Sequence, residues 1–201
     1  MVQPEDQVQV DGKEAQPAAE FTYILYHKPR GLLCSRQDAQ GRPLIYDELD
    51  VGPAVQSVGR LDMDSEGLLL LTDDGDLTRR LTSPATKLGR SYRVRVAGHI
   101  EIDTLEALRR GGVDIGKGDV SDAWEVIVDA ETRGHTWLTV LIRRGRWREV
   151  RRTLEAHGHK VRRLIRVAFG PIRLDPDLPL GAWRRLKAGE VRSLKNITKS
   201  N

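Results

Sequence analysis

A short polar loop over residues 59–67 carries side chains whose types and spacing suit chemistry. It holds three carboxylates, those of Asp62, Asp64 and Glu66, and one guanidinium, that of Arg60. An ionised carboxylate can attack a carbon atom or remove a proton, and a nearby guanidinium favours the ionised form. The loop is therefore the first candidate for an active site.

Only part of this loop is expected to act. Asp and Ser are ordinary turn residues, because their side chains hydrogen-bond the local backbone. We assign that structural role to Asp64, Ser65 and Glu66, and we keep Arg60 and Asp62 as the functional candidates.

An uninterrupted apolar run, residues 68–71, follows the loop and ends in Thr72 before Asp73, Asp74 and Gly75. A run that is bounded by turn residues and is too short for a typical helix predicts a fully buried strand. We therefore expect the loop to be attached to the centre of a sheet, where the scaffold is stiffest.

A second polar segment, residues 143–154, is rich in arginine. After Gly145 we predict a helix with Trp147, Val150 and Leu154 as its apolar stripe. This helix would lie next in the chain to a predicted strand and would present its polar side to solvent or to a ligand.

The polar positions of that helix carry three arginines and one glutamate. Arg148 and Arg152 are four residues apart and repel each other, and a bound phosphate would relieve the repulsion. Arg151 and Glu155 have the same spacing and could simply pair, which is the structural alternative.

Periodicity and turn residues predict the other elements. We expect helices over residues 44–49, from Asp76 as N-cap to residue 81, over 102–110 with Ile102, Leu105 and Leu108 on one face, and near Glu190. We expect two strands within 21–35, strands within 55–58, 87–97 and 160–170, and an antiparallel pair over 123–128 and 136–142. For Trp124 and Trp137 in this pair we prefer core positions to exposed stacking platforms.

Composition limits the class of protein. With 201 residues the chain can form one core or two small lobes that share one. Cys34 is the sole cysteine, which excludes an internal disulfide and thiolate zinc sites, and no apolar run is long enough to cross a bilayer. The net charge is only +4, but arginines concentrate in residues 143–166, the usual footprint of a polyanion-binding face.

Four segments together resemble one family. They are Tyr-His-Lys-Pro-Arg-Gly at 26–31, Gly-Arg-Leu-Asp at 59–62 followed by Gly-Leu-Leu-Leu-Leu-Thr at 67–72, Gly-Arg-x-Arg-Glu-Val-Arg-Arg at 145–152, and Arg-Leu-Ile-Arg-Val at 163–167. In this spelling and order the chain resembles the bacterial ribosomal-RNA pseudouridine synthases of the RsuA/RluB type, most of all the RluB branch. The resemblance covers residues 23–194.

The resemblance implies roles for three residues: Asp62 is catalytic, Tyr92 stacks on the target base or helps to remove its C5 proton, and Arg151 pairs with Asp62. The chain departs from the family pattern at two places. It has Arg90 where the family usually has Lys two residues before Tyr92, and it has Arg144-Gly145-Arg146-Trp147 where Glu-Gly-Arg-Asn is common. The second departure falls on substrate-facing positions and bears on sequence preference.

Eight basic residues are predicted to contact RNA: Lys28, Arg30, Arg60, Arg146, Arg148, Arg152, Arg162 and Arg163. For Lys28 and Arg30 a second role stays open, because their motif also supports the active-site loop in the family. His157 and His159 form a weak metal motif without acidic or thiolate companions, and we predict no metal site.

The resemblance implies an α+β fold, with a long, mostly antiparallel sheet in two lobes, flanking helices and Asp62 at the floor of a central basic cleft. We expect a flexible arm over residues 1–20, a catalytic domain over 21–194 and a polar tail over 195–201. Residues 6–13 resemble the end of the N-terminal alpha-L RNA-binding domain that many relatives carry, and a complete copy is not expected in this sequence.

The resulting prediction is a cytoplasmic, monomeric enzyme that needs no cofactor and converts one uridine of ribosomal RNA to pseudouridine. The substrate would be 23S rather than 16S RNA, free or in a pre-ribosomal particle. Two alternatives are kept: a ribosome-assembly factor that binds RNA without chemistry, and an aspartate-dependent nucleoside or glycoside hydrolase. A hydrolase would need a second carboxylate, for which Asp64 is the available residue.

Overall fold

The computed structural model describes residues 21–197 together with two short strands, β1 Gln9–Val10 and β2 Lys13–Glu14, which pair antiparallel. The further strands are β3 Tyr23–Lys28, β4 Gln56–Ser57, β5 Glu66–Thr72, β6 Arg90–Ala97, β7 Glu125–Thr132, β8 His135–Ile142, β9 Val161–Phe169, β10 Ile172–Arg173 and β11 Trp183–Arg185. The helices are α1 Ile45–Glu48, α2 Gly75–Thr82, α3 Ile102–Arg110, α4 Glu149–Ala156 and α5 Ala188–Ile197, with a 3₁₀ helix at Pro84–Thr86.

One sheet organises the part of the chain from β3 onward. Its order is β11-β3-β5-β9-β6-β8-β7, with β4 added to β5 and β10 added to β9. The β5–β9 pair is parallel and the other pairs are antiparallel. The predicted α+β class with a mostly antiparallel sheet is confirmed.

The two halves of this sheet meet at a narrow junction, which we call the seam. Strands β5 and β9 are joined through only two register pairs, Glu66 with Ile165 and Gly67 with Arg166. By contrast, β3 pairs with β5 along its whole length, and β6 pairs with β8 along its whole length. The seam therefore divides the sheet into the two lobes that the resemblance implied.

Strand β5 is buried at every position, as its apolar run predicted. Because side chains alternate along a strand, Leu69 and Leu71 enter the larger core while Leu68 and Leu70 enter the second core on the other face. A strand covered on both faces needs apolar residues throughout. The loop that precedes it is consequently attached to the stiffest part of the sheet.

The remaining predicted elements are confirmed with small shifts, except that residues 21–35 form one strand, β3, and not a second one after the turn. Helix α3 has the predicted bounds with Gly111 as its C-cap, and β7 and β8 form the predicted antiparallel pair. Trp124 lies in the core, whereas Trp137 is only half-buried. Ile102 is exposed, so the buried face of α3 begins at Leu105.

Four local predictions were wrong. Strand β5 begins at Glu66, so the loop before it is shorter than expected. Helix α2 is capped by Asp74 rather than Asp76, since the Asp74 carboxylate accepts a hydrogen bond from the Leu77 amide. Trp147 lies before α4 instead of within it, because α4 begins at Glu149. Helix α5 continues to Ile197, three residues into the predicted tail.

Most of the predicted flexible arm and residues 198–201 of the tail lie outside the described residues. In the ranges that are described, no helix has the length and apolar character needed to cross a membrane.

Candidate active site

A buried lysine supports the loop between β4 and β5, which carries Asp62. Lys28 is fully buried at the end of β3, and its ammonium donates hydrogen bonds to the carbonyls of Pro29 (2.9 Å), Asp62 (3.3 Å) and Ser65 (3.0 Å). The Gly31 amide donates a further bond to the carbonyl of Met63 at 2.7 Å. Lys28 therefore supports the loop, and the prediction that it contacts RNA was wrong.

Burial lowers the pKa of the Lys28 ammonium, while the neighbouring carboxylates, including Asp62 and Asp64, oppose the shift. The carbonyl contacts solvate the ammonium in place of water, which is what a buried charge requires. Since two of those carbonyls belong to the loop, the position of Asp62 depends on Lys28.

The Asp62 carboxylate faces two arginines that begin and line α4. Arg148 Nη1 lies 3.7 Å from Asp62 Oδ2, and the same guanidinium makes a bidentate pair with Asp64 at 3.0 and 3.1 Å. Arg151 Nη2 donates to the Asp64 carbonyl at 2.9 Å, and Arg151 Nε lies 3.3 Å from Asp64 Oδ2 without hydrogen-bond geometry. The arginine nearest to Asp62 is thus Arg148, whereas the predicted partner Arg151 contacts Asp64.

The two carboxylates have different electrostatic environments. Burial raises the pKa of Asp62, and the charge of Asp64 raises it further, against the opposing charges of Arg148 and Arg151. Burial also acts on Asp64, but its hydrogen bonds with Arg148 and the charge of Arg151 outweigh it and lower its pKa. Two carboxylates in one loop whose pKa values are pushed apart are suited to different tasks.

Asp62 opens onto a cavity of about 290 Å³. Tyr92 of β6, which is only 8% exposed, forms another part of its wall. The cavity therefore brings together Asp62 from one sheet lobe and Tyr92 from the other. Its further lining includes Arg60, Ser65, Arg90, Arg146, Trp147, Arg148, Arg166 and Phe169.

Sequence reasoning missed Arg166 and Phe169 in this wall. Arg166 is buried next to Tyr92 in the sheet register, and its Nε donates to the Leu68 carbonyl at 2.7 Å. The guanidinium lies 5.2 Å from the centre of the Phe169 ring. A signal was present, since Arg166 alternates in phase with the apolar Leu164 and Ala168, which are buried in β9.

The arginine-rich segment is largely paired within the protein. Arg152 has a side chain only 9% exposed and pairs with Asp119 at 2.8 Å. Asp64 and Asp119 therefore relieve the repulsion between Arg148 and Arg152 within the protein itself. In the residues that the structure describes, no group of three or more His, Cys, Asp or Glu side chains could share a metal ion.

Arg146 and Arg163, also predicted to contact RNA, have acidic partners as well. Arg146 lies 3.4 Å from Asp122 and 3.3 Å from Glu149, and Arg163 pairs with buried Glu66 at 2.6 Å. Arg30, Arg60 and Arg162 are exposed, as RNA contacts would require.

A comparison with known protein families decides the identity. A model of the RNA pseudouridylate synthase family matches residues 22–156, which include Lys28, the loop with Asp62, Tyr92 and the whole of α4. The chain belongs to the RNA pseudouridylate synthase family.

Individual relatives agree with this RNA pseudouridylate synthase assignment. The chain is 41% identical over 177 residues to the ribosomal large subunit pseudouridine synthase B of Yersinia pestis, covering 87% of this chain and 55% of the relative. It is 38% identical over 203 residues to the protein of the same name from Salmonella typhimurium, covering 98% and 69%. A solved pseudouridylate synthase structure superposes with a TM-score of 0.80 at 30% identity, covering 96% of this chain and 82% of the other.

Proposed function

We propose that this RNA pseudouridylate synthase isomerises a uridine of large-subunit ribosomal RNA to pseudouridine, with Asp62 as its catalytic carboxylate. The cavity that Asp62, Tyr92 and Arg148 line together carries the proposal. We extend it to 23S RNA, free or in a pre-ribosomal particle, and to a monomer that acts in the bacterial cytoplasm.

The reaction breaks the bond between uracil N1 and ribose C1′, turns the base and joins its C5 to C1′. The C5 proton is lost and N1 gains one, so the conversion is an isomerisation without net oxidation or reduction. Cleavage builds positive charge at C1′, which an anionic carboxylate stabilises. Asp62 would either attack C1′ or remove the 2′ proton, and both routes require it to be ionised.

The neighbours of Asp62 fit this task. Arg148 and Arg151 oppose the effect of burial on the pKa of Asp62 and so favour its ionised form. Tyr92 offers an aromatic face on which a uracil could stack. The target nucleotide must leave its helix to reach this cavity, and the exposed Arg30, Arg60 and Arg162 would hold the flanking phosphates.

The alternatives explain less of the site. A hydrolase would use a second carboxyl group as proton donor. Asp64 is poorly suited to that role, because its bidentate pair with Arg148 keeps its pKa low. An RNA-binding assembly factor would have no use for a carboxylate that is held by Lys28 at the floor of a cavity beside Tyr92.

The direct test is tritium release from unmodified 23S and 16S RNA labelled at uracil C5. We expect release from 23S RNA, with pseudouridine in the digested product and no free uracil. Release from 16S RNA alone would overturn the substrate assignment, and free uracil would indicate the hydrolase. No release from either RNA at low or high salt would contradict the proposed reaction, since phosphate contacts are strongest at low salt.

The pH dependence of the reaction should report the raised pKa of Asp62. Because ionised Asp62 is the active form, kcat/KM should fall as the pH is lowered through a pKa above the ordinary value of 3.8. Asp64→Asn removes a like charge and releases Arg148 towards Asp62, and both changes lower the pKa of Asp62. The acid limb of the kcat/KM profile, where the rate falls with falling pH, should consequently move to lower pH.

The measurement is a kcat/KM profile for the native protein, Asp64→Asn and the exposed control Asp76→Asn, which should leave the limb in place. The position of the limb is read independently of the maximal rate, which Asp64→Asn will also reduce by loosening Arg148 and Arg151. A limb that stays in place or moves to higher pH would contradict this electrostatic account.

A further inference from the structure

Trp147 is an exposed aromatic residue at the mouth of the candidate active site. Its side chain is 52% exposed although it lies between two arginines of the family motif. Cations surround its ring: Lys117 Nζ is 3.7 Å from the ring centre, and the guanidinium carbons of Arg152 and Arg148 are 5.6 and 6.0 Å away. Cations at these distances are attracted to the indole ring.

The surroundings of Trp147 are fixed by Arg152, which was expected to bind RNA. Its guanidinium donates hydrogen bonds to the carbonyls of Ile115 (2.8 Å), Gly116 and Trp147 (3.0 Å) and to the carboxylate of Asp119 (2.8 Å). Arg152 thereby joins the segment before α4 to the loop over residues 115–119. That loop presents Lys117 to the indole, so the exposed ring is held in place before any ligand arrives.

Trp147 also borders two neighbouring cavities. The first is the cavity with Asp62 and Tyr92, and the second has a volume of about 460 Å³. Arg60, Leu61, Asp62, Trp147 and Arg148 line both of them. The rest of the lining of the second cavity is formed by Leu33, Cys34, Ser35, Gln37, Asp38, Arg42 and Met63.

We propose that Trp147 is a stacking platform for the base of an unpaired nucleotide next to the target uridine, and that the second cavity is the subsite for this nucleotide. The adjacency rests on the proposed function, since it assumes that the target occupies the first cavity. Trp147 would set preference for the flanking nucleotide and would not take part in the chemistry.

Several observations favour a nucleotide as the occupant. Single-stranded RNA is bound by exposed aromatic rings that stack on bases and by cations that meet the backbone. Trp147 supplies the ring, Lys117 and Arg148 supply cations close to it, and Arg60 is a further cation in the lining of the second cavity. The second cavity continues from the first, so a chain with one base turned into the first cavity brings its neighbour to the indole.

The first test measures binding without catalysis. Fluorescein-labelled hexauridylate and the same hexamer with abasic spacers in place of its bases are titrated against the native protein, Trp147→Ala, Trp147→Phe and Trp183→Ala. Trp183, which is 40% exposed on β11, provides the matched control. We expect the native protein and Trp183→Ala to prefer hexauridylate, and Trp147→Ala to lose on the order of 10-fold or more of that preference.

Trp147→Phe should restore most of the preference, because phenylalanine keeps an aromatic face. Equal binding of the two hexamers by the native protein would overturn the proposal, as would an undiminished preference in Trp147→Ala. A protein partner would be indicated if Trp147→Ala changed neither RNA binding nor KM but weakened binding to ribosomal particles, and this too would contradict the proposal.

The second test separates this proposal from the proposed function. In tritium release from 23S RNA, Trp147→Ala should raise KM on the order of 10-fold with little change in kcat. If the native protein releases tritium and Trp147→Ala has native KM and native base preference, the stacking proposal fails and the enzyme assignment stands. If no RNA releases tritium while hexauridylate binding still depends on Trp147, the proposed reaction fails and the platform remains.

Discussion

Asp62→Asn is expected to slow pseudouridine formation by at least about 10³-fold while leaving the fold and RNA binding intact. The amide has nearly the same shape as the carboxylate but cannot ionise, so it can neither attack C1′ nor remove the 2′ proton. The native fold should tolerate it, because the Asp62 carboxylate is separated from Arg148 by 3.7 Å and the bond from Lys28 uses the Asp62 carbonyl.

The measurement is single-turnover tritium release, accompanied by filter binding of the same RNA and by urea unfolding. Asp76→Asn, a neutralised carboxylate on the exposed face of α2, is the matched control and should react at the native rate. Tritium release by Asp62→Asn at a rate near that of the native protein would remove Asp62 from the mechanism. Loss of both RNA binding and stability would instead assign Asp62 a structural role.

Gly67→Ala should cause the largest loss of stability, about 2–5 kcal/mol in the free energy of unfolding. Gly67 lies in the seam with a φ of +108°, where an L side chain is strained. A Cβ atom there would lie 2.4 Å from the Arg166 carbonyl oxygen and 2.6 Å from its nitrogen. Both are backbone atoms of β9, so relief requires the two strands to separate.

Urea unfolding of two other glycine variants separates the effect of backbone strain from that of a steric clash. Gly31→Ala has a positive φ of +91° but open space, and it should lose about 1 kcal/mol from strain alone. Gly75→Ala has neither a positive φ nor an atom within 4 Å of the new Cβ, and it should be neutral or slightly stabilising. Gly67→Ala with the stability of Gly75→Ala would show that β5 and β9 do not approach each other as closely as described.

The elements that sequence reasoning predicted well are those whose signals are local. The apolar run of β5 and the spacing of Leu105 and Leu108 in α3 each depend on a few adjacent residues. The family motifs in turn led to Asp62 and Tyr92, which line one cavity although they belong to different lobes. Their catalytic roles remain predictions.

The errors concern contacts between distant segments and unusual backbone geometry. Arg151 was assigned to Asp62 but reaches Asp64, two residues along the same loop, and no pattern in the sequence distinguishes these two oxygen-rich positions. The apolar stripe of α4 was extended back to Trp147 because periodicity does not reveal that Arg148 has a left-handed backbone with φ of +49°. Lys28 is buried because its ammonium bonds to carbonyls of the loop that it supports, which is again a contact between distant segments.

The narrow seam has a consequence for how the protein is made. Lys28 and the loop that carries Asp62 are complete once β5 has left the ribosome. Arg148, Arg163 and Arg166, which contact this region, are synthesised 84 to 98 residues after the residues that they contact. Until β9 arrives, the seam edge of β5 lacks its neighbour, and an unpaired strand edge invites pairing with other chains. The acidic loop of the nascent protein is therefore synthesised well before the arginines that pair with it. The last third of the chain both completes the sheet and supplies these arginines.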